Sequence, residues 1–106
     1  MFFDRAIRYA VRLPKWQAVR KAHLILNPNC SACGKAKKLD VHHKIPVHID
    51  FSKELDPENL ITLCSSPCHI LFGHLMDFKS WNENIEKDCE TYHNKLVNRP
   101  YKKDKK

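Results

Sequence analysis

Between Cys30 and His74 the chain concentrates side chains that bind metals and move protons. Cys30 and Cys33 are separated by two residues and followed by Gly34, and Cys64 and Cys68 form a second pair separated by three. Thiolates so spaced can close on one tetrahedral zinc ion, and the glycine permits the tight left-handed turn of a knuckle. Four sulfurs fill the coordination sphere, so such a site holds shape and does no catalysis. The fifth cysteine, Cys89, falls on an apolar helical stripe and reads as a small buried hydrophobe.

His42, His43, Asn59, His69 and His74 are left over. Imidazoles of His42, His69 and His74 are neutral nitrogen ligands at physiological pH. Fewer than four protein ligands leave room for water and a phosphate oxygen. His43 would then serve as general base, a role suited to a group with an unperturbed pKa of about 6.5. Asn59, short and polar in the turn Asp56-Pro57-Glu58-Asn59, suits bracing a loop between strands. Any one of these histidines is adequately explained by packing or exposure. Their occurrence together beside two thiolate pairs is not.

The elements that must position these groups can be read in order. Residues 1–13 alternate apolar and basic side chains and predict a short helix or ordered arm, with Pro14 stopping it or opening the next element. A helix follows from Lys15, with Trp16, Val19, Ala22 or His23, and Leu26 on its apolar face. Asn27-Pro28-Asn29 ends it. His23 reads as a packed or surface residue. The alternation over Leu39–Pro46 predicts a strand with Val41, His43 and Ile45 on one face and Asp40, His42 and Lys44 on the other. Adjacent histidines on a strand point apart, so a site that uses both requires a bulge or a strand end. Val47–Leu55 reads as irregular, with His48 a surface loop residue. Leu60–Leu63 is a second short strand that runs into Cys64. Ser66 and Pro67 suit the cap and first position of a helix through His69 and Phe72, and Gly73 either ends it or admits a close approach. Asn82 or Asn84 caps a last helix with the stripe Ile85, Cys89, Tyr92 and Leu96.

A chain of 106 residues buries a thin core, and a structural metal is a common remedy. Five cysteines with only two glycines do not suggest a disulfide scaffold. Neither a signal peptide nor an apolar run able to span a membrane is visible, so a cytoplasmic setting is expected, where paired cysteines usually mean metal. Net charge is +7, with six basic residues against one acidic within 1–21 and four lysines within 101–106. Segmental basic charge suits a polyanion such as nucleic acid. Lys35, Lys37 and Lys38 form a basic turn that is either a solvated loop or a phosphate contact.

Cys-x-x-Cys-Gly at 30–34, Val41-His42-His43-x-Ile45-Pro46, Glu58 to Cys64, and Cys68-His69-x-x-x-Gly73-His74 together resemble the HNH endonucleases. That family has the ββα-metal (His-Me finger) fold, and its zinc-knuckle branch is common in phages and bacterial mobile elements. The resemblance covers about residues 14–100. It implies an α+β chain with a small ββα-metal core, a zinc knuckle and flanking N- and C-terminal helices. It also implies one nuclease domain over 1–100 (core 30–77), followed by a basic disordered tail over 101–106. His42 and His69 would hold a catalytic divalent ion, His43 would activate water and Asn59 would be the middle asparagine. His74 would be a third ligand, five positions after His69 where family members often have four.

The activity implied is metal-assisted hydrolysis of DNA with weak sequence preference. Mg²⁺ or Mn²⁺ would be the working ion, and histidine-rich sites also accept Ni²⁺ or Zn²⁺. Backbone contacts would come from Arg12, Lys15, Arg20, Lys35, Lys37 and Lys38. DNA is the expected partner, with other phage or mobile-element proteins beyond it, and no membrane; the expected state is a monomer or weak dimer. The competing readings are a non-catalytic zinc module that binds DNA and a knuckle that binds protein.

Overall fold

A computed structural model describes the backbone of residues 2–99 and the side chains of residues 14–99. The expected tail over 101–106 and the side chain of Arg12 lie outside the described residues. The architecture is α+β. Helix α1 (Phe2–Leu26) leads into the first knuckle, strand β1 (Leu39–His43), a loop, strand β2 (Leu60–Cys64), a π-helical turn (His69–Gly73) and helix α2 (Ile85–Asn98). Among the described residues no helix is long and apolar enough to cross a membrane.

The two strands pair antiparallel, from Leu39 opposite Cys64 to His43 opposite Leu60. This register brings the end of β2 back to the first cysteine pair. The knuckle is fastened to the sheet by the Ser31 N–H, which donates to the Thr62 carbonyl at 2.9 Å. Thr62 also ties down the end of α1, its hydroxyl donating to the Asn27 carbonyl at 2.9 Å. Strand β2 is buried along its whole length. The core consists largely of Cys30, Ala32, Ile61, Leu63, Cys64, Cys68, Ile85 and Cys89, with Leu39 and Phe72 packed against it. Half of that cluster is sulfur, so the thiolate cage lies in the hydrophobic core.

Several expectations need correction. Pro14 neither stops nor opens a helix: α1 runs through it unbroken. The lost N–H bond and ring clash are local costs that the flanking turns outweigh here. The apolar face of α1 is only partly covered. Trp16, Val19 and His23 are half-buried, but Leu26 is 80% exposed. Strand β1 ends at His43 instead of continuing to Pro46, since the next backbone donors turn to Asn59: Lys44 N–H to its carbonyl and Ile45 N–H to its side chain. The segment after Cys68 is a π turn and not an α-helix.

In α2 the buried stripe is Ile85 and Cys89, continued by half-buried His93, whose Nδ1 donates to the Ala32 carbonyl at 3.1 Å. Tyr92, expected on that stripe, is exposed and rests its ring on Phe72 at 5.2 Å. Asn84 is the N-cap residue without a side-chain cap bond, whereas buried Asn82 does the bracing. Its amide donates to the Phe72 carbonyl and to Asp88, both at 2.9 Å, and its oxygen accepts from the Asn84 N–H.

Candidate metal centres

The four cysteines come together. The Sγ atoms of Cys30, Cys33, Cys64 and Cys68 all lie within 4.8 Å of one another. Cys33 and Cys64 sulfurs are 3.8 Å apart, and four sulfurs at 2.3 Å from a tetrahedral ion would be separated by about 3.8 Å. Gly34 adopts φ 85°, the left-handed turn the knuckle needs, and its N–H donates to the Cys30 carbonyl. Burial opposes ionisation of Cys30, but the N–H groups of Cys33, Cys64 and Ala32 outweigh it and bring that thiol down to about 7. Burial and the neighbouring thiols push Cys68 well up. Cys30 thus ionises readily, whereas Cys33 and Cys68, pushed up chiefly by burial, need a cation, which is the behaviour of a zinc cage. Cys89 stands outside the group, and burial, with Cys30 and Asp88 nearby, raises it to about 12.

A second cluster is built from imidazoles. One ring nitrogen each from His42, His69 and His74 lies within 4.8 Å of the others. His42 Nδ1 and His69 Nε2 are 3.2 Å apart, and two nitrogens at that separation on a shared ion, with bonds of 2.0–2.1 Å, subtend about 100°. Nδ1 of His69 donates to Asp40 Oδ2 at 3.0 Å, and Nδ1 of His74 donates to the Ser80 carbonyl at 2.9 Å. Each of those bonds fixes a tautomer and leaves Nε2 as the nitrogen with a lone pair. Burial first, then the imidazoles of His69, His74 and His43, hold His42 down to about 3, so it stays neutral and ready to ligate. Its Nε2 is buried with no hydrogen-bond partner among the described residues. Three imidazoles, each with one ring nitrogen within 4.8 Å of the others, fit a divalent ion with open positions.

The turn after Cys68 explains the unusual spacing. Its backbone closes i→i+5, wider than an α turn, so residues five apart stack where four apart otherwise would. His69 and His74 consequently meet, with ring centroids 5.1 Å apart. Gly73 is what lets His42 in: a Cβ there would lie 3.0–3.2 Å from three atoms of the His42 ring.

His42 and His43 both face a cleft of ≈ 360 Å³ whose walls also include Val41, His48, His69, His74, Phe78 and Lys79. The strand end at His43 meets the geometric demand of an adjacent pair. Trp16 stacks on the His43 ring at 4.8 Å with an interplanar angle of 26°. His43 Nε2 donates to the Glu54 carbonyl at 2.8 Å, which makes Nδ1 the basic nitrogen.

Asn59 is buried beside the end of β1 and locks the intervening loop. Its amide donates to the Ile45 and Lys53 carbonyls at 3.0 and 3.1 Å, and its oxygen accepts from the Ile45 N–H at 2.8 Å.

Of the basic residues singled out from sequence, none of those described lines the cleft. Lys15, Lys37 and Lys38 are exposed and Arg20 is half-buried. Lys35 donates to the Ser66 carbonyl at 3.4 Å, linking the two knuckle halves. Lys79, which sequence reasoning passed over, is at the cleft instead. Asp40 was also missed, although its position two residues before His42 on one strand face was the available signal.

Residues 30–71 match the family model for HNH endonucleases, so the family resemblance read from the motifs holds over that segment. No curated protein and no solved structure matches the chain.

Proposed function

We propose, from the HNH endonuclease match over residues 30–71, that this chain is a metal-dependent nuclease hydrolysing DNA phosphodiester bonds, with His43 as general base. The observation that carries the reading is the separation of donors into a four-thiolate cage and an independent imidazole triad that opens on a cleft.

A divalent ion held by His42, His69 and His74 would supply positive charge to a non-bridging phosphate oxygen and to the departing 3′ oxygen. His43 Nδ1 takes a proton from the attacking water while the Glu54 carbonyl retains Nε2–H, so the ring neither flips nor loses its tautomer. Trp16 supports that ring from one face. Asn59 keeps the loop that presents the Glu54 carbonyl in register, and acts as a positioning residue. Asp40 and Ser80 orient two of the ligands. The products are a 5′-phosphate and a 3′-hydroxyl. Three nitrogens without a carboxylate suit transition ions more than oxygen-loving Mg²⁺, so Mn²⁺ or Ni²⁺ should support the faster reaction.

The test is incubation of supercoiled plasmid with protein and Mn²⁺, beside His43→Ala. Cleavage by the parent and loss of about 10²-fold or more in the variant are expected for removal of a general base. Equal cutting by both would refute the role of His43.

A further inference from the structure

The segment just beyond His74 combines exposed apolar side chains with left-handed backbone. Leu75 and Met76 are 53% and 65% exposed, Phe78 is 67% exposed, and Leu71 on the preceding turn is exposed as well. Leu75 and Met76 both adopt left-handed backbone, φ 54° and 70°. That conformation is strained for a non-glycine residue, and neither side chain offers the local hydrogen bond that lets Asn or Asp tolerate it. Strain of this kind persists only where the surroundings enforce it.

The enforcing bonds are present. The Met76 N–H donates to the Ile70 carbonyl at 2.8 Å, the Asp77 N–H to the His74 carbonyl at 3.0 Å and the Ser80 N–H to the Asp77 carbonyl at 2.7 Å. The Asp77 carboxylate accepts from the Lys79 N–H at 3.0 Å. The far end is anchored to a metal-site residue through His74 Nδ1 and the Ser80 carbonyl. The loop is thus held rigidly while its apolar side chains project outward.

Position decides what these side chains meet. The Phe78 ring lies 5.0 Å from His74 and 6.4 Å from His69, so the apolar tip is continuous with the imidazole cleft. A phosphate bound there would bring the bases of its own duplex against Leu75, Met76 and Phe78. Lys79 beside them suits a polyanion. Apolar side chains that protrude rigidly beside a phosphate site are the physical form of a base-step wedge: they unstack neighbouring base pairs from the minor groove and kink the duplex.

We propose that the loop Leu75–Phe78 is such a wedge, inserting Leu75 and Met76 between base pairs next to the phosphate held at the imidazole cleft. This rests on the nuclease reading and adds to it how the duplex is opened to the metal. Unstacking at the cut widens the approach to phosphorus and favours steps that unstack easily, such as pyrimidine–purine steps.

The test uses a duplex carrying 2-aminopurine at the binding site, with the His43→Ala protein so that no cutting interferes. Wild-type loop residues should raise the fluorescence on binding, and the double substitution Leu75→Ser, Met76→Ser should abolish the rise. Met76→Leu should retain it, which separates loss of the wedge from loss of the fold. In the cleavage-competent protein, the ratio of duplex cleavage to hydrolysis of bis(4-nitrophenyl) phosphate should fall about tenfold or more on the double substitution. Binding without any fluorescence change, or equal ratios in both proteins, would overturn the wedge while leaving ester hydrolysis, and with it the nuclease reading, standing. Self-association that vanishes with the double substitution while duplex cleavage is unaltered would assign the patch to a second copy and overturn the wedge. Failure to hydrolyse either substrate would remove the nuclease reading and the wedge together.

Discussion

His69 and His74 are five residues apart in sequence, yet their rings sit 5.1 Å apart because a π turn carries them. An α turn would have sent the second ring sideways. The extra residue relative to the usual family spacing is therefore absorbed by the backbone, and a ring nitrogen of His74 comes within 4.8 Å of those of His42 and His69.

His74→Ala should accordingly weaken Mn²⁺ at the imidazole site without touching the thiolate cage. Loss of one of three ligands should cost more than loss of an orienting partner, so more than about tenfold in affinity is expected. Calorimetric titration with Mn²⁺ of zinc-loaded protein reads this directly. Affinity unchanged within error would exclude His74 as a ligand.

Gly73→Ala tests the close approach of His42 to the turn. The added methyl would meet the ring at 3.0–3.2 Å, and a few tenths of an ångström must be given up by one side. We expect Mn²⁺ affinity and plasmid cleavage to drop about tenfold, as for misplaced ligands generally, with a smaller effect on thermal stability. Normal activity would mean that the ring has room to retreat.

Asp40→Asn should keep the shape and remove the charge that holds the His69 tautomer. Removing such a partner typically costs 10–100-fold in metal affinity or activity, and about that loss is expected here. The readout is the Mn²⁺ dependence of the nicking rate, which should shift to higher concentration.

The depressed pKa of His42 gives a pH dependence of known sign. In the folded protein it is neutral down to about 3, whereas the unfolded imidazole takes a proton near pH 6.5. Between those values the unfolded state binds more protons, so stability falls as pH drops through the window, by at most about 1.4 kcal/mol per pH unit. Zinc-loaded protein with no ion on the imidazoles should melt at lower temperature at pH 5 than at pH 7. His42→Gln should reduce that difference, and an identical pH dependence in both proteins would contradict the burial of a neutral His42.

Much of this arrangement was legible in the sequence, and the residues say why. Two cysteine pairs next to two short strands forced a common neighbourhood once the strands paired. Alternation along Asp40, Val41 and His42 put Asp40 and His42 on one face, though the role of Asp40 went unread, and the same period demanded a bulge or a strand end near the histidine pair, expected at Pro46 and found at His43. The π turn was hidden, because the spacing of His69 and His74 was measured against an α period. Trp16 on His43 was hidden too: it joins a helix and a strand distant in sequence, and helical periodicity says only that Trp16 faces inward. The exposure of Leu26 went unforeseen for the converse reason, since periodicity marks an apolar face but not how far a partner extends along it. The wedge-like loop carries no sequence signature beyond Leu75-Met76, because left-handed backbone is normally announced by glycine or asparagine and here is not.

The most direct test of the account is a crystal soaked in Mn²⁺, with anomalous scattering recorded at the manganese and zinc edges. Two separate peaks are predicted: zinc among the Sγ atoms of Cys30, Cys33, Cys64 and Cys68, and manganese among the ring nitrogens of His42, His69 and His74. A zinc peak alone, with no manganese at the imidazoles, would contradict it.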